Sequence, residues 1–328
     1  MSVDSTSKMR TGAIPAIPVP AGGGAGLAME PAPEPGLRAL VPSLEGRAAR
    51  GPLQLAMLRL RRAKLALIGL VVIVLLTLAA VFAGRVAPYG ENAIDLFSIT
   101  AGPSQTHWLG TDELGRDELS RLIYGGQVSL LVGVAAALLS TVIGIVLGAI
   151  AGYYGGWLDA ALMRFVDLML AFPAIFLLLI VFSLRGSSVL SVILFLGFFG
   201  WMWLTRIIRG EFLTLKARDF VEAARSVGVP DGRLIVRHLL PNVLAPIIVS
   251  TTLNIAYYML AEATLSFLGF GVPPGTPTWG NMLNAARPNY TTHPILAVAP
   301  GLTLTIAVLA INFVGDGLRD AFDPRGGR

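Results

Sequence analysis

Six long stretches without charged residues alternate with shorter polar segments along the chain. Each stretch is close to the 20 or so apolar residues that, at about 1.5 Å per residue, cross a hydrocarbon core of about 30 Å. The pattern therefore predicts an all-α integral membrane protein with six transmembrane helices. We place them at about residues 65–83, 127–151, 168–184, 186–205, 243–261 and 295–315, with only Arg185 and Gly186 between the third and the fourth.

The positions of lysine and arginine predict the orientation of these helices, because cytoplasmic loops near helix ends collect basic residues. With the N-terminus inside, 20 of the 25 basic residues fall in cytoplasmic segments. The five outside are Arg85, Arg116, Arg121, Arg185 and Arg287. Both termini are therefore predicted to be cytoplasmic.

The first 48 residues differ in composition from the rest. Residues 11–42 hold seven prolines and six glycines, which leaves too little apolar surface to offset the entropy of ordering. Pro15, Pro18 and Pro20 also interrupt the apolar core that a cleaved signal peptide would need. Residues 1–48 are predicted to be a disordered cytoplasmic tail.

Four further segments follow from the same pattern. A basic segment and the first transmembrane helix occupy residues 49–84, and an external loop with a helix on the membrane surface occupies residues 85–126. Residues 127–317 form a transmembrane domain of five helices, and residues 318–328 are a cytoplasmic C-terminus.

Composition excludes several kinds of function. The chain is 54% hydrophobic and 14% charged, has no cysteine, and has three widely separated histidines, so neither a disulfide framework nor a thiolate or histidine metal site is expected. The net charge of +5 comes from basic residues between apolar runs and not from one soluble basic face. It therefore indicates contact with a lipid bilayer and not with nucleic acid.

The polar segment at residues 211–241 carries the most information about function. Phe220, Ala223, Ala224 and Val227 recur at helical spacing, which predicts an amphipathic helix. Gly228 can adopt the left-handed conformation that often follows a helix, and Pro230 and Asp231 suit the first turn of a second helix. A helix, a turn and a helix form a compact cytoplasmic knob.

This segment resembles the EAA loop of ABC importer permeases of the MetI-like type. The resemblance rests on Glu222, Ala223 and Ala224, on Gly228 six residues after the glutamate, and on Leu240-Pro241. It implies that the knob docks into a groove on a separate ATP-hydrolysing subunit. His238 replaces the isoleucine of the general pattern, but Arg237-His238 is similar to the peptide-transport branch.

Residues 107–117, 265–271 and 315–320 are similar to the C-type permeases of dipeptide, oligopeptide and nickel importers, so the resemblance covers about residues 55–324. It implies a permease in a bacterial inner membrane that carries peptides, with nickel or another small solute as the alternative. The implied partners are a homologous permease, two ATP-binding cassette subunits and an extracytoplasmic substrate-binding protein. No Gly-Lys dipeptide, and hence no phosphate-binding loop, occurs in the chain, so ATP and Mg are expected on the partner subunits.

Two other function classes are considered from the residues themselves. An ion channel would need an arginine-rich helix or a filter similar to Thr-Val-Gly-Tyr-Gly, and neither is present. A membrane enzyme would need a nucleophile, a base and an orienting group, and the few polar residues within the predicted spans form no such set. We therefore predict no catalytic residue.

Smaller patterns give expectations for individual residues. Ser140, Gly144, Gly148 and Gly152 recur every four residues, which predicts close approach of another helix to the second span. Residues 110–126 mix charged and apolar residues, which indicates a surface helix that serves as a structural collar or contacts the binding protein.

Charged residues at span ends are usually paired or functional. Asp167 lies three residues after Arg164, which predicts a local ion pair. Glu262 has no basic neighbour, and Asn254, Tyr257 and Tyr258 precede it by one to two turns. These four residues are predicted to line the transport pathway.

Overall fold

The computed structural model describes residues 63–322. The predicted tail at 1–48, most of the basic segment before the first helix and the last six residues lie outside this range. Within it the regular elements are helices, and the strand-like pairing consists of two isolated bridges, Ile94 with Arg116 and Thr111 with Asp117. The predicted all-α class is confirmed.

Nine helices define the architecture of the described residues. They are α1 (Lys64–Val81), α2 (Glu118–Tyr154), α3 (Gly156–Ala171), α4 (Ala174–Arg185), α5 (Val189–Lys216), α6 (Asp219–Ser226), α7 (Asp231–Phe267), α8 (Trp279–Ala285) and α9 (Ile295–Phe322). A helical turn, Ala83–Val86, follows α1. Helices α1, α2, α5, α7 and α9 are each long and apolar enough to cross a membrane.

The third predicted span is not one straight helix. Helices α3 and α4 are bent by 76° relative to each other at a short break. The pair forms a sixth transmembrane span only if the two helices cross the membrane as one bent unit. Pro173 explains the break, because proline cannot donate the helical hydrogen bond and pushes Phe172 into an extended conformation. The next helix begins at Val189 and not at residue 186, because Ser188 and Ser191 form a capping box there.

Helix α2 extends well beyond the predicted second span. Its 37 residues correspond to about 55 Å, and it begins where the Asp117 side chain accepts a hydrogen bond from the Ser120 backbone N–H. Residues 118–126 are its first turns, so the prediction of a separate surface helix over 110–126 was wrong. Glu118 and Arg121 in this stretch are each 3% exposed, whereas a helix on the membrane surface would expose its charged side chains.

The small-residue face of α2 packs on α5, as its spacing predicts. A β-carbon on Gly152 would lie 2.6 Å from the β-carbon of Phe212, and one on Gly144 would lie 3.0 Å from that of Leu204. Such distances leave room only for hydrogen at these positions. The close contact brings the ends of α2 and α5 together beside residues 217–230.

Two ion pairs join α3 to α5. Arg209 donates two hydrogen bonds to Asp159, at 2.5 and 2.7 Å, and Arg206 donates one to Asp167 at 2.5 Å. The predicted pair of Asp167 with Arg164 was therefore wrong, because the partner comes from another helix and not from the preceding turn. Below, the end of the bundle that contains residues 217–230 is called the knob end, and the other is called the far end.

Candidate functional site

The segment between α5 and α7 is a short helix followed by a tight turn. Helix α6 has Asp219 and Glu222 in its first turn and Arg225 in its last turn, which suits the helix dipole. Its C-terminus is a Schellman motif, because the Gly228 N–H donates to the Arg225 carbonyl and the Val229 N–H to the Ala224 carbonyl. Gly228 has φ of +78°, which confirms the predicted left-handed glycine.

One side of α6 packs against the rest of the chain. Val221 is fully buried, and it belongs to an apolar cluster with Leu234 and Leu239 of α7 and Phe212 of α5. Ala224 and Val229 pack against the same cluster. This contact fixes the orientation of α6 on the ends of α5 and α7.

The other side of α6 carries apolar side chains that nothing in the described chain covers. Phe220 is 42% exposed and Val227 is 80% exposed, and Ala223 between them is exposed as well. Of the four residues predicted to share one face, Phe220, Ala223 and Val227 are exposed and only Ala224 faces inward. Val221, which the spacing argument passed over, provides the internal contact.

The second half of the knob is not a separate short helix. Helical backbone continues from Asp231 to Phe267, with a π-helical segment at Leu234–Leu239 and a 3-10 segment at Leu240–Val243. Pro241 lies at the start of the 3-10 segment and cannot donate a backbone hydrogen bond, which accounts for the irregularity. Within this irregular stretch the Asn242 side chain donates to the His238 carbonyl at 2.6 Å.

The residues that carry the EAA resemblance lie on this knob. Glu222 is exposed, and its side chain makes no ion pair among the described residues. Leu240 is half-buried and Pro241 is exposed. The structure thus places the glutamate and the exposed apolar side chains on α6, at the knob end.

Tyr153, at the end of α2, connects three parts of the knob, and sequence reasoning missed it. Its hydroxyl donates to Asp231, which lies 78 positions away in the chain. Its backbone carbonyl accepts a hydrogen bond from the Lys216 ammonium, and the Arg225 guanidinium lies 5.3 Å from the ring centroid. Tyrosine at a helix end has many roles, so only the fold reveals these partners.

Two of the four predicted pathway residues are buried within the chain. Glu262 is fully buried, and it accepts hydrogen bonds from Ser266 at 2.7 Å and from Ser129 at 3.3 Å. Tyr258 is 2% exposed and donates to Ser140 at 2.9 Å. Both side chains are enclosed between α2 and α7, so the pathway role of Glu262 and Tyr258 stays a prediction that their burial argues against.

The other two predicted pathway residues are accessible. Tyr257 is 64% exposed and borders a cavity of about 280 Å³, and Asn254 is half-buried. The other residues around the cavity are mainly apolar and come from α4, α5 and α7: Leu178, Phe195, Leu196, Leu260, Ala261, Thr264 and Leu265. Tyr257 therefore remains a candidate for contact with a solute or with another chain.

The loop before α2 is held by polar side chains at the far end. His107 contacts Asp117 at 2.9 Å, Asp117 caps α2, and Asp112 pairs with Arg116 at 2.7 Å. The Phe97 N–H donates to Asp95, and this hydrogen bond lowers the pKa of that carboxyl. The contact of His107 with Asp117 thus holds this loop on the start of α2.

The same loop exposes apolar side chains. Phe97 is fully exposed, Leu96 is 74% exposed and Trp108 is 68% exposed.

Across residues 63–322 no group of three or more histidine or acidic side chains is arranged to hold a metal ion.

Comparison with known proteins gives two family matches. Residues 144–327 match the family described as binding-protein-dependent transport system inner membrane component. Residues 51–103 match the N-terminal transmembrane domain of oligopeptide transport permease C. The two matches together span most of the described chain and include α1 as well as the knob.

Curated relatives and a solved structure agree with these matches. A peptide permease protein of Brucella suis is 45% identical over 280 residues, which cover 85% of this chain and 93% of that protein. The glutathione transport system permease protein GsiD of Escherichia coli is 42% identical, over 81% of this chain and 88% of its own length. The inward-facing MetNI methionine ABC transporter shares the fold, with a TM-score of 0.51 and 18% identity over 62% of this chain and 96% of the matched chain.

Proposed function

Because the chain belongs to the family of binding-protein-dependent transport system inner membrane components, we propose that it is a permease subunit of a peptide-importing ABC transporter. It forms the pathway with a homologous permease, and two separate ATP-binding cassette subunits supply the energy. An extracytoplasmic binding protein delivers the solute. The observation that carries this proposal is α6, a short helix fixed on its inner side and apolar on its exposed side.

The geometry of α6 suits it to docking. A surface helix that serves only as a connector gains nothing from exposing Phe220 and Val227, since apolar area in water is unfavourable by about 25 cal/mol per Å². A partner groove that covers these side chains would recover that free energy. Glu222 on the same short helix offers a charge to a basic group at the edge of the groove.

The proposed orientation places the knob end in the cytoplasm. Lys216, Arg218, Arg225, Arg233 and Arg237 lie at this end, and basic residues favour the cytoplasmic side of a membrane. Both termini of the bundle, at the start of α1 and the end of α9, then also face the cytoplasm. The far-end loop with Phe97 and Trp108 faces outward, where the binding protein delivers its cargo.

A rigid knob accounts for the coupling mechanism. When ATP closes the two cassette subunits, each groove carries its docked helix with it. Helix α6 moves as a body with the ends of α5 and α7, because Val221 joins it to Leu234, Leu239 and Phe212 in one buried cluster. The movement alternates the opening of the pathway between the two sides of the membrane.

Small peptides, glutathione among them, are the proposed substrates, because the relatives are named for peptide and glutathione transport. The test is uptake into proteoliposomes that contain the four-subunit complex with ATP on the cassette side. We expect labelled di- and tripeptides or glutathione to enter only with ATP and the loaded binding protein. Uptake of Ni²⁺ in place of peptides would reject the substrate class, and solute flux without ATP would reject the importer.

A further inference from the structure

We infer that Tyr153 is the positioning residue that transmits movement of the α6 knob to the second transmembrane helix. This inference rests on the proposed function, in which α6 receives the force of ATP-driven closure. It adds to that function a specific residue that lies on α2, outside the motif residues on α6 and α7. Tyr153 is the last but one residue of α2 and is 3% exposed.

Tyr153 contacts all three elements that meet at the knob end. Its hydroxyl donates to Asp231, the first residue of α7. The Arg225 guanidinium of α6 and the Lys216 ammonium of α5 lie 5.3 and 5.7 Å from its ring centroid, within the range of cation–π attraction. Lys216 also donates to the Tyr153 backbone carbonyl, which caps the end of α2.

Unlike ordinary apolar packing, these contacts depend on the orientation of the tyrosine ring and hydroxyl. A leucine would fill a similar space in the apolar cluster that Tyr153 shares with Phe212 and Leu234. It would offer neither a hydroxyl to Asp231 nor an aromatic ring to Lys216 and Arg225. The charges hold α6 and the start of α7 to one point on α2. A displacement of the knob therefore acts on α2 through Tyr153.

The residues after Tyr153 separate α2 from α3. Gly155 and Gly156 have φ of +67° and +59°, and a β-carbon on either would meet nothing within 4 Å. This pair ends α2 and permits α3 to change direction, so α3 does not continue α2 as one rod. Towards the membrane α2 is packed closely on α5 through Gly152 and Gly148, so the two helices move together.

The neighbouring Tyr154 offers a matched control, because it has the same side chain but is 52% exposed. We compare Tyr153→Leu and Tyr153→Phe with Tyr154→Leu in the reconstituted complex. In Tyr153→Phe, which keeps the ring but loses the hydrogen bond to Asp231, we expect uptake per ATP hydrolysed to fall by about tenfold, the factor that corresponds to loss of one hydrogen bond to a charged group. Tyr153→Leu loses the ring as well and should fall further, and Tyr154→Leu should match the wild type.

The affinity of the complex for ATP and the recovery of all four subunits should be unchanged in each variant. A residue with only a structural role would lower the recovery or the melting temperature and leave uptake per ATP as it was. That result, or an equal loss in Tyr154→Leu, would overturn the inference. If Tyr153→Leu does not assemble, Tyr153→Phe and the distance measurement below decide the question.

A second readout does not depend on transport and separates this inference from the proposed function. The chain has no cysteine, so Val146→Cys on α2 and Ser226→Cys on α6 create two unique sites for spin labels in this subunit. We expect one narrow distance distribution in the wild type and in Tyr154→Leu, and a broader one in Tyr153→Phe and Tyr153→Leu. An unchanged distribution in both Tyr153 variants would contradict the positioning role even if the complex transports nothing.

Discussion

The carbonyl oxygen of Thr205 lies only 2.7 Å from the position that a β-carbon on Gly148 would occupy. The β-carbon of Ile208 lies at 2.8 Å from the same position. Both neighbours belong to α5, and neither can rotate away. The close contact of α2 with α5 therefore depends on glycine at position 148, which has a hydrogen in place of a β-carbon. This contact sets the spacing of the two helix ends that hold the knob.

We therefore predict that Gly148→Val destabilises the complex by about 1–3 kcal/mol, the usual effect of overpacking a core. Gly210→Ala is the matched control, because Gly210 lies in α5 with nothing within 4 Å of its added β-carbon. That change should be neutral or slightly stabilising, since alanine favours helix more than glycine. Thermal unfolding of the purified complex in detergent measures both, and equal melting temperatures for Gly148→Val and wild type would contradict the packing.

Glu262 is predicted to stabilise the contact of α7 with α2. Glu262→Gln keeps one oxygen that accepts from a serine hydroxyl, and its amide N–H can donate to the oxygen of the other serine, so stability and substrate range should stay near those of the wild type. Glu262→Ala leaves both hydroxyls without their acceptor and should reduce stability by about 1–3 kcal/mol. A changed substrate range in Glu262→Gln, with normal thermal stability, would restore the pathway role that burial argues against.

The ion pair of Asp159 with Arg209 should be worth more than that of Asp167 with Arg206. The first has two hydrogen bonds and side chains that are 15% and 33% exposed, whereas the second has one bond and side chains that are 55% and 37% exposed. A double-mutant cycle with alanine should give a coupling energy of about 0.5–3 kcal/mol for the first pair and about 0–1 kcal/mol for the second. Equal coupling energies in thermal unfolding would show that burial does not distinguish them.

Local features of the sequence predicted the helices and the turn well. Charge-free length identified the five helices that are long and apolar enough to cross a membrane, because the requirement to span hydrocarbon acts on each stretch separately. Gly228 was found because a left-handed residue after a helix is a local property, and the glycine spacing of α2 follows from helical geometry alone.

Partners that are distant in the chain were not predicted. Asp167 selected Arg206 over the nearby Arg164, and Glu262 found Ser129, which is 133 positions away. Which side of a helix faces another helix depends on how all the helices pack, so spacing alone did not identify the burial of Val221 or of Tyr258. The contact of Tyr153 with Asp231 was missed for the same reason.

Deletion of residues 2–45 is predicted to leave assembly and uptake largely intact. The composition of this segment provides too little apolar surface for a core, and it precedes the first family match at residue 51. The measurement is recovery of the complex and its uptake rate, beside the full-length chain. Failure of the shortened chain to assemble would show that the tail binds a partner.

Gly228 gives the sharpest test of whether the knob couples ATP hydrolysis on the partner subunits to transport. Nothing lies within 4 Å of an added β-carbon there, so Gly228→Val acts only through its left-handed φ, with strain of about 1–2 kcal/mol that should displace α6 from α7. Gly228→Asn is the matched control, because asparagine tolerates this conformation. A further variant, Glu222→Lys, tests the charge on the docked face of α6.

The deciding measurement is the stimulation of ATP hydrolysis by loaded binding protein in the reconstituted complex, with peptide uptake followed in parallel. We predict that Gly228→Val and Glu222→Lys lose both the stimulation and the uptake, while the complex still forms and Gly228→Asn stays close to wild type. Full stimulation and normal uptake in Gly228→Val and Glu222→Lys would contradict the assignment of this loop as the coupling element.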